Sequence, residues 1–227
     1  MQAAVERRFI AYYPGNGGLR VHVDAVHAAP PNEDKFTEEI ATAVAARTGC
    51  ACMVAKASRD EVNLNREPDP LDPLSVEAMK EYRDVIKDAL LACGVLDGET
   101  GQVLAPYLHL GIHGMADRHY GPHAIEIGTR RGMSCSGAVS NWFLRKARYL
   151  AGGYLPPGTE VIPDRCFVGG KAIVCHRLGD RIGHVGYGPN YNVVQLEISR
   201  VLREEYREGV VSLLSALVED FGRAFRA

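Results

Sequence analysis

Two apolar runs in this chain of 227 residues end in histidine: Leu19-Arg-Val-His-Val-Asp-Ala-Val-His27 and Tyr107-Leu-His-Leu-Gly-Ile-His113. Such runs read as buried strands, and a strand end is where an α/β protein presents chemistry. Gly114 follows His113 and leaves its imidazole unshielded, while small residues and then Glu33-Asp34 follow His27. Two histidines and a carboxylate form the ligand set of a catalytic zinc, which keeps one position open for water. The pattern leaves both Glu33 and Asp34 open as the carboxylate. The competing reading, satisfied core or turn histidines, holds for most single histidines. Eight histidines in the chain, four of them from His109 to His123, weigh against it. His22 and His109 fall at mid-strand positions and read as structural, and His119 and His123 fall in a loop.

Three further segments carry polar chemistry. In Ser58-Arg-Asp-Glu-Val-Asn-Leu-Asn-Arg66, Arg59 and Arg66 sit in a loop directly after a strand, where guanidinium groups can grip carboxylates through paired N–H donors; surface salt bridges are the equal alternative. In Asn192-Val-Val-Gln-Leu-Glu-Ile198, alternation places Val193, Gln195 and Glu197 on one face. Glu197 there either meets solvent or lines a site, where loss of water raises its pKa toward the range of a useful base. Ala124-Ile-Glu-Ile-Gly-Thr129 enters a glycine turn that could offer amides to an anion, a nonspecific pattern. The glycines at 15–18, 152–153 and 169–170 match no phosphate-binding fingerprint.

The elements that must position these residues follow from periodicity. Strands are expected at Val21–Val26, Cys50–Ala55, Tyr107–Ile112, Ala124–Gly128, Ala172–His176 and Val193–Ile198. Helices are expected after Thr37 as cap, over Ser75–Cys93 with Ser75 as cap, over Ser136–Leu150 and over Glu204–Phe221. The proline-bearing stretch Leu64–Leu74 is a loop. This alternation predicts one α/β domain over residues 1–227, three layers deep, with a central mixed, mostly parallel sheet flanked by helices. The closing helix carries Val210, Val211, Leu213 and Leu214, which suit either its own core or a second copy in a homo-oligomer.

A formal net charge of −2 and a pI near 6.4 give no electrostatic case for nucleic acid or an anionic membrane. No apolar run approaches the about 20 residues of a membrane span. Met1-Gln-Ala-Ala-Val-Glu-Arg-Arg8 lacks the apolar core of a signal peptide, so a cytoplasmic protein is expected. Six cysteines, none in Cys-x-x-Cys spacing, read as buried free thiols.

In collinear order from about residue 19 to 200, these segments resemble the N-formylglutamate amidohydrolases, a branch related in fold to zinc carboxypeptidases and aspartoacylases. The resemblance rests on Ala25-Val-His27, Asp34 with Thr37, Ser58-Arg59, Asn63-Leu-Asn65-Arg66-Glu-Pro68, Ile112-His113-Gly114, Gly128-Thr129 with Gly132-Met-Ser134-Cys135, Phe167-Val-Gly-Gly170 and Gln195-Leu-Glu197. It implies a zinc-exopeptidase-like (phosphorylase/hydrolase-like) fold and one Zn²⁺ held by His27, Asp34 and His113, with Glu33 as the rival carboxylate. It implies Glu197 as general base and acid, Arg59 as the group polarising the scissile carbonyl, and Asn65 and Arg66 as the clamp on a substrate carboxylate.

The implied reaction is hydrolysis of an N-acyl amino acid, such as an N-formyl amino acid. Peptide cleavage of the carboxypeptidase or γ-glutamyl type, and non-catalytic binding of a carboxylate or metal, are the alternatives. Three departures bear on the substrate. Gly111 stands where members often carry an aspartate two residues before the second histidine, Ala28-Ala29 follow the first histidine in place of a glycine-bearing pair, and Asn63 replaces an aspartate.

Overall fold

Alternation in the central strands sorts apolar from polar side chains onto opposite faces of one sheet. The structure, a computed structural model, describes residues 3–225. Its strands are β1 (Val5–Glu6), β2 (Ile10–Tyr13), β3 (Val21–Ala25), β4 (Ala51–Ala55), β5 (Tyr107–Met115), β6 (Ala124–Gly128), β7 (Glu160–Pro163) and β8 (Tyr191–Ser199). They form an eight-stranded mixed sheet in the order β1-β2-β4-β3-β5-β8-β6-β7, with β4, β3, β5 and β8 mutually parallel at its centre. Helices α1 (Thr37–Thr48), α3 (Gly137–Tyr154) and α6 (Arg207–Ala224) cover one face, and α2 (Pro73–Ala92) and α4 (Lys171–Leu178) cover the other. A short α5 (Arg200–Glu204) links β8 to α6.

The first face is predominantly apolar. Val21, Val23, Leu108, Leu110, Ile112, Val194, Leu196 and Ile198 meet Ile40, Val44, Phe143, Leu214, Leu217 and Phe221 there. α6 thus buries its apolar side in the chain's own core. The opposite face carries the polar row. Asp24 pairs in register with Gly111 and Gly111 with Gln195; one row on, His113 pairs with Glu197 and Glu197 with Glu126.

Several expectations are corrected. Ala172–His176 is helical within α4, because a five-residue apolar run fits a buried helix as well as a strand. Its buried positions Ala172, Ile173, Cys175 and His176 follow the helical spacing. β5 continues through Gly114 to Met115, so His113 stands inside a strand and not in a turn. Asp72 caps α2 by accepting from the Leu74 amide at 3.0 Å, in place of Ser75. Thr37 is the first residue of α1 and not its cap. The closing helix is broken between α5 and α6, and β1, β2 and β7 complete the sheet edges.

One buried cation ties the polar ends of β5 and β8 to the loop after β3. The Arg203 guanidinium donates to the carbonyls of Ile198, Met115 and Lys35. Gly114 makes room for it, since a Cβ there would lie 2.3 Å from Arg203 Cζ. Replacing the guanidinium by an apolar chain strands these carbonyls, at about 1–3 kcal/mol for each one left unsatisfied. Arg203→Met is therefore expected to lower unfolding free energy by about 2–5 kcal/mol, read from urea denaturation; a change below 1 kcal/mol would show that the clasp is dispensable.

Candidate metal centre

His27 stands just past the end of β3, and the following loop folds back on it. The Asp34 amide donates to the His27 carbonyl at 2.7 Å, and Thr37 donates from its amide and its hydroxyl to the Asp34 carbonyl. The Asp34 carboxylate is thereby aimed at two imidazoles, with Oδ2 3.5 Å from Nδ1 of His27 and 3.5 Å from Nδ1 of His113. The two Nδ1 atoms are 3.1 Å apart, and none of the three side chains is more than 10 % exposed. Asp34 joins this group and Glu33 does not.

The donor set fits a zinc-type ion. Donors bound tetrahedrally at 2.0–2.2 Å stand about 3.3–3.5 Å from one another, close to the separations found. The tautomer of His27 fits as well. Asn63 Oδ1 accepts from the Asn65 amide at 3.0 Å, which marks it as the acceptor facing His27 Nε2, also at 3.0 Å. Nε2 then carries the proton of the neutral ring, and Nδ1 presents a bare lone pair to the centre. Burial lowers the His27 pKa, with the Asp34 contact offsetting it only in part, which favours this neutral form. For Asp34, burial would raise the pKa, but its contacts with His113 and His27 and the Arg59 charge hold it well below the carboxylate range. Arg59 pairs directly with Asp34 Oδ1.

Glu197 lies beside His113 in the sheet and is 7 % exposed. Burial raises its pKa, and the neighbouring His113 imidazole offsets this only in part. Its Oε1 accepts from Gln195 Nε2 at 2.8 Å. Gln195 is oriented in turn, its Oε1 accepting from Asn65 Nδ2 and from the Gly170 amide, each at 3.0 Å. A side chain at Gly170 would place its Cβ 2.3 Å from the Asn65 carbonyl oxygen, so the close approach requires glycine. Phe167–Gly170 and the segment around Asn65 thus meet at Gln195. Arg66 is exposed on the same loop as Asn65.

Sequence reasoning missed the supporting residues. Gln195 holds Glu197, as above. Glu126, fully buried in register with Glu197, accepts with Oε1 from the amides of Arg165, Cys166 and Phe167 at 2.6–2.8 Å, bracing the loop that leads to Gly170. Strand alternation was the available signal for both. His22, Asp24 and His109 form a second buried group that could hold a metal. There, however, His109 Nε2 already pairs with Asp24 Oδ2, Tyr82 donates to the same oxygen, and His22 Nδ1 meets the Tyr107 hydroxyl at 3.0 Å. His119 and His123 stand apart, packing edge-on against Phe167 and Tyr206.

A mixed α/β sheet with a buried His-Asp-His group that could hold a metal defines the class of protein. No protein-family model matches the chain, and no curated protein matches it. Among solved structures, it is similar to the N-formylglutamate amidohydrolase of Ralstonia eutropha JMP134, with a TM-score of 0.63 and 18 % identity over 97 % of this chain and 99 % of that one. A gene product of Agrobacterium tumefaciens matches at a TM-score of 0.58 and 14 % identity, over 94 % of both chains. The resemblance read from the motifs is thus met at the level of fold, and the neighbour sharing that fold is a hydrolase of amide bonds.

His113→Ala removes a donor that lies within 3.5 Å of the two others. Zinc affinity, measured by competition with a chromophoric chelator, is expected to fall by more than the about 10–100-fold typical of losing a mere supporting partner. Undiminished uptake by the folded variant would remove His113 from the centre.

Proposed function

We propose that this protein is a zinc-dependent amidohydrolase that cleaves the linear amide of an N-acyl amino acid, with N-formylglutamate as the model substrate. The observation that carries the reading is the His27–Asp34–His113 group with a buried glutamate, Glu197, in register beside it. The fold shared with an N-formylglutamate amidohydrolase supports it.

A zinc ion held by Nδ1 of His27, Nδ1 of His113 and the Asp34 carboxylate would act as a Lewis acid on the amide carbonyl and make water acidic enough to attack near neutral pH. The remaining steps belong to the chain. Glu197, with its pKa raised by burial, takes a proton from the attacking water. The same carboxyl then gives that proton to the departing nitrogen, so the acyl carbon–nitrogen bond breaks to leave a carboxylic acid and a free amine. Gln195 keeps one oxygen of Glu197 in place, leaving the other to face the reacting atoms. Arg59, 27 % exposed beside Asp34, offers positive charge to the developing oxyanion. Arg66, exposed on the neighbouring loop, grips the substrate's free carboxylate, with Asn65 beside it. The substrate is thus a small carboxylate.

Two variants test this assignment on zinc-loaded protein, with release of free glutamate as the readout. Glu197→Gln is expected to retain zinc and lose about 10²–10⁴-fold in kcat; an unchanged rate would take Glu197 out of the reaction. Arg66→Ala is expected to raise KM with kcat largely kept, as removal of uniform binding does. Should wild-type protein bind zinc and hydrolyse no N-acyl amino acid, the substrate class is wrong.

A further inference from the structure

The polar face of the sheet contains a notch that the proposed reaction does not use. It lies over Gly111, the residue standing where the resembled family often carries an aspartate. A Cβ built on Gly111 would lie 3.4 Å from Asp24 Oδ1 and 3.7 Å from His113 Nε2, so both atoms border the same vacant position. Asp24 reaches it from the neighbouring strand, because Asp24 and Gly111 are register partners across β3 and β5.

The two oxygens of Asp24 have unequal surroundings. Oδ2 is saturated by the Tyr82 hydroxyl and by His109 Nε2. The carboxylate acceptor fixes Nε2 of His109 as the protonated nitrogen facing Asp24, and Nδ1, 3.1 Å from the Tyr191 hydroxyl, then accepts from it. Oδ1 is buried with no hydrogen-bond partner, although the residue is only 1 % exposed. A buried carboxylate oxygen without a donor is costly unless something approaches it. The nitrogen bordering the same notch is the ring atom of His113 that points away from the proposed metal.

We infer that Asp24 is the positioning residue for His113: its Oδ1 accepts, through one water bridging the Gly111 notch, the hydrogen bond that originates at Nε2–H of His113, and so leaves Nδ1 free for the metal. This rests on the metal centre proposed above. A carboxylate opposite a metal-binding imidazole fixes the tautomer and ring orientation and strengthens the donor. Here that carboxylate comes from a neighbouring strand, into space that a side chain at position 111 would fill. The support of the two histidines is therefore unequal. His27 has a neutral amide oxygen, Asn63 Oδ1, behind its ring, and His113 has the charged Asp24.

The test compares zinc affinity, by competition with a chromophoric chelator, in wild type, Asp24→Ala and the double variant Asp24→Ala/Gly111→Asp, with thermal melting followed by circular dichroism. Asp24→Ala is expected to bind zinc about 10–100-fold more weakly. The double variant returns a carboxylate to the notch from the other strand and is expected to recover most of that loss, which a purely structural role for Asp24 would not produce. Should Asp24→Ala fail to fold, Asp24→Asn keeps the shape, removes the charge and is read in the same assay. Wild-type affinity in a folded Asp24 variant overturns the inference and leaves the metal centre standing. A double variant as weak as the single one overturns the notch as the route of support. A wild-type protein that binds no zinc overturns the centre itself, and the role of Asp24 with it.

Discussion

The register of β3, β5 and β8 is the constraint on which the rest depends. Because side chains alternate along a strand, a slip of one residue would turn every polar group of that strand into the apolar core and every apolar group out of it. The penalty is large on both faces. Val21, Val23, Leu108, Leu110, Ile112, Val194, Leu196 and Ile198 would leave the core packed by α1, α3 and α6. Asp24, His113 and Glu197 would enter it without partners. The apolar side thus holds the polar side in alignment, and the site inherits its precision from residues that never touch it.

Within that alignment, each buried charge is held by groups arranged for it. Asp34 would be expensive to bury alone, yet it sits between two imidazoles and the Arg59 guanidinium. Glu197 is treated differently. It has a single amide donor in Gln195, and burial keeps its pKa raised. Two carboxylates close to the same histidine therefore have their pKa values pushed in opposite directions, Asp34 down and Glu197 up. That divergence is what the proposed roles require, an ionised ligand and a proton-accepting base. Arg203 serves the same economy from outside, joining the ends of β5 and β8 to the loop that carries Asp34 through three backbone carbonyls.

How much of this could be read from the sequence depended on whether the information was local. α2 and α3 were legible because their periodicity is strong over 18–20 residues, and the central strands because short apolar runs were bounded by turn signals. α4 was not, since Ala172–His176 is too short for its period to be distinguished, and only packing against the sheet decides it. His27, His113 and Glu197 were visible as polar residues in apolar runs. Choosing Asp34 over Glu33 needed the loop geometry, in which the Asp34 amide returns to the His27 carbonyl. The support by Gln195 and Glu126 was half legible: alternation places each on the polar face, but their partners at 165–170 lie far away in sequence.

The departures from the resembled pattern take on meaning only in three dimensions. In the sequence, Asn63 and Gly111, each standing where an aspartate is found in the resembled pattern, read only as departures that bear on the substrate. The structure shows that Asn63 still presents an oxygen to His27, held in place by the Asn65 amide, so that change removes charge and keeps geometry. Gly111 removes a side chain where a strand neighbour already brings a carboxylate. Ala28, meanwhile, packs against the apolar core and lies outside the His27–Asp34–His113 group. A centre with a charged partner behind only one histidine has an asymmetric field. The more basic donor would be His113, on the same side as Glu197. Since donor strength lowers the Lewis acidity felt at the open position, such asymmetry sets how strongly water and carbonyl are polarised. Under the proposed function, these substitutions would bear on the reactivity of the centre and not on whether it can form.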